Sequence, residues 1–487
     1  MSRVRHLRWS YWLAALIGCS SSTPGLDSSR TADAAADGPL RDAGGVVGDD
    51  AANLEDAADA SASDGASSGR CEPPTEPAAR IASYRAIHDA VYADNVSELD
   101  RMASSGDGED YYTFQYVLDA TLSMYEATGD HGYLARALAW AQTMMSKATH
   151  IDNAGFASWA GPSCDTVDFD GGTATDGGCP VPTTSYLLDD FQGATELARL
   201  ARLVLLDPSS PPADRAIAIE VRRFVVRHIV GKWAHRKSIS YLLSDADDYT
   251  SPLSDKSVLL GRILIELQRI AGALGALPAE PDYSPWITTI ATSFANRIAP
   301  YDAANAQSCP ATGSGPCSDS GGTVVCGARP ASPPPVVSGA LTWDVGVGWY
   351  NCRSMDTSHA NRHPRFALDA ARAGFVVQPA QLTGLANLLT KVLYNGDPED
   401  PRIRNFIDGS QCTFESRGPD RTGAIYHGWI VLAERDDGVF DLGDALLTAI
   451  RAKKCNPTLT YNRTSFGQME LAAHLASAVY RRSCPPG

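Results

Sequence analysis

The chain has 487 residues, 44 % of them hydrophobic, and a formal net charge of −16. No basic stripe offsets that charge, which excludes a nucleic-acid binder from the expected classes. The N-terminal apolar run, Trp9 to Gly18, is far short of the roughly 20 residues of a membrane span, so a spanning protein is not expected either.

Met1 to Gly18 places Arg3, Arg5 and Arg8 ahead of Trp12-Leu13-Ala14-Ala15-Leu16-Ile17, the order of a basic n-region and an apolar h-region. Leu16-Ile17-Gly18-Cys19 resembles the bacterial lipobox. The resemblance implies that Cys19 is lipidated and becomes the mature N-terminus, with Ser20 behind it favouring the outer membrane or cell surface. An ordinary secretory signal with an incidental cysteine is the alternative. Residues 20 to 70 then hold ten acids against three arginines, with no aromatic residue and no Ile. Such a stretch cannot bury enough apolar area to offset its chain entropy, and it reads as a self-repelling tether. The expected domains are a signal peptide at 1–18, a lipidated cysteine with a disordered acidic linker at 19–76, and one folded domain at 77–487.

Beyond Cys19 the chain has ten cysteines: Cys71, Cys164, Cys179, Cys309, Cys317, Cys326, Cys352, Cys412, Cys455 and Cys484. An even count in an exported chain predicts disulfides. Their spacings contain no C-x-x-C pair, so a zinc ribbon is not expected; no metal or cofactor enters the expected chemistry.

From Pro77 onward the periodicity is helical. Ile81 to Ser104 is the first candidate. Tyr111 to Thr128 places Phe114, Val117, Leu118, Thr121 and Tyr125 on one stripe, Gly129-Asp130 stops it, and Tyr133 to Ala148 returns as the second arm of an αα-hairpin. Ser185 to Leu206, Ala213 to Val230, Lys256 to Leu274, Tyr283 to Ile298, Pro364 to Ala373, Pro379 to Tyr394, Gly423 to Glu434, Leu442 to Lys453 and Ser465 to Arg481 follow. No strand-rich stretch competes with them. Such a run either stacks as a solenoid or closes on itself, and no fixed short period supports a solenoid. Val258 to Ile270 is apolar on most faces, as an inner helix would be. The expected fold is therefore all-α, an (α/α) toroid of about six hairpins behind a disordered tether.

Tyr111-Tyr112-Thr113-Phe114 through Thr128-Gly129-Asp130 and Tyr133-Leu134 resembles the opening hairpin of toroidal polysaccharide lyases and six-hairpin glycosidases. Met355-Asp356-Thr357-Ser358-His359-Ala360-Asn361, followed by Arg365-Phe366-Ala367-Leu368 and Leu385-Ala386-Asn387, looks like the Asp-x-Ser-His block of lyase-like toroid proteins, including the alginate- and glucuronan-lyase-like ones. The resemblance runs loosely from residue 80 to 480. It implies a surface or periplasmic enzyme, most simply a polysaccharide lyase acting by β-elimination on an acidic, uronate-containing polymer.

The residues themselves fit that chemistry. Trp349 to Arg365 is the densest polar cluster, and Pro364 suits the first position of a helix. His363, preceding it, is expected away from helical backbone, which separates His359 from His363 and argues against a His-x-x-x-His metal site. β-Elimination needs a base for the C5 proton, a neutraliser for the enolate charge and an acid for the leaving oxygen. His359 is the expected base, Asn361 and Arg362 the neutralisers, and Tyr350 or Tyr426 the acid. An alternative reading has Asp356 and His359 hydrogen-bond each other and cap a helix, with Tyr350 in the core.

A second cluster, Arg421 to Trp429, opens a later helix, so Tyr426 and His427 could meet His359. Gly428 and Trp429 read first as packing residues. Asp356, Arg353, His427, Asp190, Trp159, Trp349 and Tyr241 are expected to bind substrate, the tryptophans as sugar platforms where they are not core. A glycoside hydrolase is the runner-up and would use paired carboxylates, for which Asp189-Asp190 point too far apart on a helix; Asp189 as an N-cap is the plainer reading. One departure counts against a lyase: Pro252-Leu253-Ser254-Asp255-Lys256 stands where related toroid lyases carry Asn or His, with Arg236, Lys237 or Tyr241 as substitutes. A non-catalytic glycan-binding lipoprotein is the third reading. The expected partners are a polysaccharide and a membrane through the lipid on Cys19, with no nucleic acid, and the expected state is a monomer.

Overall fold

The computed structural model describes residues 70–159, 187–236, 242–243, 255–278, 280–305, 336–343, 355–409, 428–452 and 465–485. The expected signal peptide, Cys19 and the expected linker up to residue 69, together with Tyr241, Trp349, Tyr350, Arg353, Tyr426 and His427, lie outside the described residues, whereas the last two residues of that expected linker, Thr75 and Glu76, open the first helix. Two compact units divide at Cys71, and nearly all of the description belongs to Glu72–Gly487. That unit is predominantly helical.

The first helix, α1 (Thr75–Ala103), begins two residues before Pro77. Behind it, α2 (Gly108–Thr128) and α3 (His131–Ser146) form the expected hairpin. Gly129 takes φ 72° between them, a conformation glycine adopts without strain. Asp130 accepts from the Gly132 amide and caps α3, as a short carboxylate at an N-cap should. Next come α4 (Leu187–Leu205) and α5 (Pro212–Phe224). The latter runs on through a π-helical stretch, Val225–Gly231, into Lys232–Arg236. Then follow α6 (Asp255–Leu274), α7 (Ser284–Arg297), the short α8 (Thr357–Ala360), α9 (Arg362–Arg372) and α10 (Pro379–Asn387). A 3-10 segment at Ile430–Glu434, α11 (Asp437–Arg451) and α12 (Ser465–Ser483) complete the order.

Burial sorts these elements into two sets. Nearly every residue of α4 and of Gly467–Val479 in α12 is buried, and so are Val258, Leu259, Leu260, Ile263, Leu264, Ile265, Leu267 and Ile270 of α6. By contrast α1, α5 and α7 bury one face each, the amphipathic pattern of helices with solvent on one side. The buried set follows a cycle of neighbours: α2 packs on α4, α4 on α6, α6 on α9, α9 on Ile430–Glu434, that segment on α12, and α12 back on α2. The other helices lie against this cycle, α1 on α2 and α12, α5 on α4, α7 on α6 and α11 on α12.

Two expectations need correction. Strands do occur: Ile298–Asp302 (β3) pairs antiparallel with Val336–Trp343 (β4), and His150–Ile151 (β1) with Ala157–Ser158 (β2). β4 lies close on α10, where a Cβ at Gly384 would overlap the Leu341 side chain. His363 is helical, the second residue of α9. Pro364 sits third in that helix, where the missing N–H still falls among the first-turn amides that need no intrahelical acceptor, so the bias against helical backbone before proline is overridden.

Both described cysteines, Cys71 and Cys484, are disulfide-bonded, in keeping with the cysteine arithmetic. No described helix is long and apolar enough to cross a membrane.

Candidate functional site

Met355–Thr357 is held in place before any side chain is considered. The Thr357 amide donates to the Asn405 carbonyl at 2.7 Å and the Ile407 amide to the Met355 carbonyl at 3.0 Å. Asp356 then caps α8: its Oδ1 accepts from the Ser358 and His359 amides at 3.0 and 3.1 Å, and also receives the Ser358 hydroxyl. Its Oδ2 lies 2.7 Å from His359 Nδ1. Burial raises the Asp356 carboxyl, but the His359 ring and the hydrogen bonds from His359 and Ser358 more than offset it, bringing it to about 2. Asp356 is thus a carboxylate at neutral pH. With the imidazole proton on Nδ1, facing that carboxylate, the basic lone pair is on Nε2.

The segments that follow bring together residues far apart in the chain. The Arg362 Nε donates to Gln192 Oε1 at 2.9 Å, and its Nη2 donates to the Tyr112 hydroxyl. Its guanidinium also lies 5.4 Å from the centre of the Tyr112 ring, within cation–π range. The N-terminal turns of α2, α4 and α9 therefore meet at one arginine. Asn361 donates its amide to the Ser358 carbonyl and is buried. Gly428 packs directly on it: a Cβ there would overlap the Asn361 carbonyl. The neighbouring Trp429 is fully buried and donates from Nε1 to the Thr357 carbonyl at 3.0 Å.

Of the residues singled out from sequence, Asp356, His359 and Asn361 share one hydrogen-bonded turn on which Gly428-Trp429 of the second cluster packs, and Arg362, next in the chain, is bonded to Gln192 and Tyr112. Others are placed elsewhere. Trp159 is 2 % exposed, donates to the Met144 carbonyl and packs edge-on against Tyr111, so it is core and no sugar platform. Asp190 is buried against Lys232 at 2.7 Å and Trp233 Nε1 at 2.7 Å. Asp189 is not an N-cap: it lies inside the first turn of α4, where the helix dipole still favours a carboxylate. His363 stacks on Trp343 with ring centres 5.1 Å apart, which gives it a different set of neighbours from His359.

Sequence reasoning missed Tyr112 and Gln192 as partners of Arg362. It missed a larger feature too, a buried ion network touching every member of the helix cycle. Arg199 of α4 pairs with Asp119 at 2.5 Å, Glu126 at 2.8 Å and Glu196 at 3.0 Å. Arg262 of α6 joins Glu196 at 2.6 Å to Asp369 of α9 at 3.0 Å. Arg365 reaches Asp119 at 3.3 Å and Asp369 at 3.4 Å. Arg372 and Arg481 carry the network to Glu434 and Glu126. Its signal was present: Asp119-Ser123-Glu126, Glu196-Arg199, Arg262-Glu266 and Arg365-Asp369-Arg372 all sit at the three- or four-residue spacing that puts polar groups on one helical stripe.

Among the described residues, the candidate metal ligands are Asp119, Glu470 and His474, with ligand atoms within 4.8 Å of one another. Arg199 and Arg365 already hold Asp119, so a divalent ion would sit beside two guanidiniums. Comparison of the chain with protein families, curated proteins and solved structures gives no match.

Proposed function

We propose that the chain is an exported protein, lipid-anchored through Cys19, whose helix cycle is an (α/α) toroid that cleaves an acidic polysaccharide by β-elimination. The observation that carries this reading is the Asp356–His359 pair, 2.7 Å apart at the start of α8, immediately ahead of the Arg362–Tyr112–Gln192 contact between three helices. Asp356 orients the ring and stabilises it as it gains a proton. His359 Nε2 takes the C5 proton of a uronate, the electron pair moves onto the carboxylate as an enolate, and the C4–O bond then breaks. The leaving oxygen takes its proton from the acid assigned to Tyr350 or Tyr426, and the new sugar end carries a C4=C5 double bond. Arg362, three residues after His359 in the chain and bonded to Gln192 and the Tyr112 hydroxyl, is the cation to which this reading assigns charge neutralisation. The Asn361 amide is engaged by the Ser358 carbonyl and serves to shape the turn. The ion-paired state of Asp190 weighs against the glycosidase.

The test is incubation with a panel of uronate polymers, followed by the ultraviolet absorbance of the unsaturated product alongside a reducing-end assay. His359→Ala should stay folded, retain binding and lose about 10²- to 10⁴-fold in turnover. Reducing ends without unsaturated product would make the protein a hydrolase. Binding without cleavage by the parent protein would make it a glycan-binding one.

A further inference from the structure

The turn that carries Asp356 and His359 is held by more than its own hydrogen bonds. Trp343, the last residue of β4, is buried. Its ring stacks on His363 of α9, with centres 5.1 Å and planes 28° apart, and lies 5.9 Å from the Trp429 ring at 32°. Trp429 in turn donates from Nε1 to the Thr357 carbonyl at 3.0 Å. One indole thus reaches the turn twice, at the start of α9 through His363 and at Thr357, between Asp356 and His359, through Trp429.

The same strand makes a polar tie. Thr342 Oγ1 donates to the Ile407 carbonyl at 3.3 Å, and the Ile407 amide donates to the Met355 carbonyl at 3.0 Å. β4 is itself anchored by β3, where Ile298 lies opposite Trp343, and Phe294 of α7 packs edge-on against the indole at 6.0 Å. The Trp343 Nε1–H is buried and has no hydrogen-bond acceptor among the described residues, a cost that a phenylalanine here would not carry. What the indole supplies is ring area, spread over His363, Trp429 and Phe294.

We infer that Trp343 is a positioning residue for the Asp356–His359 pair: by holding Trp429 and His363 it fixes their turn, so that the β3–β4 pair sets the angle at which the imidazole is presented. Its role in turnover rests on the reading of His359 as the base; its role in holding the turn does not. The Asp356–His359 bond fixes the ring relative to the turn, but a helix of four residues cannot by itself fix that turn against the rest of the fold. The contacts from Trp429, Asn405 and Ile407 do so. Orientation matters because a displacement of about 1 Å, made far from the chemistry, costs on the order of 10²-fold in rate.

The experiment compares the full chain with Trp343→Leu, Trp343→Phe and, as a control for lost packing alone, Leu99→Ala in the buried face of α1. Hydrogen exchange of the peptide spanning Met355–Asn361 reads the turn without any substrate. In Trp343→Leu the Ser358 and His359 amides, which Asp356 holds, should exchange about tenfold faster than in the parent. Trp343→Phe should fall between the two. Leu99→Ala should lower Tm yet leave this peptide at the parent rate. On a uronate polymer that the parent cleaves, Trp343→Leu should lose about 10- to 100-fold in kcat with KM within about threefold, while Leu99→Ala keeps the parent's kcat below its Tm. Parent-like exchange in Trp343→Leu overturns the proposal, and so does exchange that rises equally in Leu99→Ala. Faster exchange with a parent-like kcat also overturns it, because the turn then moves without consequence for the base. If the parent cleaves no polymer, the reading of His359 as a base is lost, and the exchange rates alone decide whether Trp343 holds the pair. If Trp343→Leu does not fold, Trp343→Phe is read by the same criteria, with an expected effect of about threefold in exchange and in kcat.

Discussion

Two Asp–His pairs in this protein use the same chemistry to opposite ends. Asp356 and His359 are three residues apart at a helix start, with the His359 side chain 13 % exposed and its carboxylate partner tied down by local amides. Asp119 and His474 come from opposite ends of the chain, with the His474 side chain 3 % exposed and two arginines around the aspartate. In the first pair the protein holds Nδ1 of the imidazole against a carboxylate, the arrangement on which the proposed proton transfer rests. The second has its charge balanced from within and belongs to packing. Residue type does not separate them; water and the number of neighbouring charges do.

The sharpest way to break that comparison is to remove the hub of the interior network. Arg199→Ala would leave Asp119, Glu196 and Glu126 with much of their buried charge uncompensated, and uncompensated buried charge is the costliest single defect in a fold. We expect a loss of about 3–5 kcal/mol in urea unfolding at neutral pH. A loss below about 1 kcal/mol would mean that water reaches the network and that its pairs behave like surface pairs.

A second, smaller effect is expected where the two sequence clusters meet. Gly428→Ala places a methyl group on the Asn361 carbonyl, which a rigid backbone on both sides cannot easily yield. Overpacking of this kind costs about 1–3 kcal/mol, and the displaced turn carries His359 with it. The variant should therefore lose both stability and any cleavage activity, while a variant that unfolds like the parent would show that the two segments are not in contact in solution.

Sequence periodicity located these elements well. Most of the long helices it marked are present, because a buried stripe every three or four positions has few other solutions; the exception is Gly423 to Glu434, whose described part is a turn and the 3-10 segment Ile430–Glu434. It failed where local preference and tertiary context disagree. His363 was assigned to non-helical backbone on the strength of Pro364, yet α9 begins at Arg362 because the first turn of a helix tolerates proline. β4 went unnoticed because Val336–Trp343 is one short strand whose partner lies more than thirty residues earlier. The site was half legible: Asp356, Ser358 and His359 are neighbours in sequence, so their mutual bonds follow from local geometry. Arg362 meeting Tyr112 and Gln192 depends on which helices pack together, and no local pattern carries that information. The interior network was hidden for a related reason, since charged residues at helical spacing read as a solvated face until the helix is known to be surrounded.

The smallest expected effect is also the one that separates the two roles of Asp356. As an N-cap it satisfies the Ser358 and His359 amides, and losing a cap costs about 1 kcal/mol. As a carboxylate it also fixes the imidazole. Asp356→Ala should remove both, lowering stability by about 1 kcal/mol at neutral pH and abolishing most activity. The folded-state value of Asp356 lies below the ordinary one, at about 2. Its contribution is therefore present above the unfolded-state range and fades as pH falls through 2, so parent and alanine variant should converge in stability under strong acid. Asp356→Asn retains an oxygen that can cap the helix but offers no charge to a protonated imidazole. It should recover the stability and leave turnover low if Asp356 tunes His359. An asparagine variant with both stability and turnover restored would show a helix cap and nothing more, and would return the pair to the same purely structural class as the one in the interior.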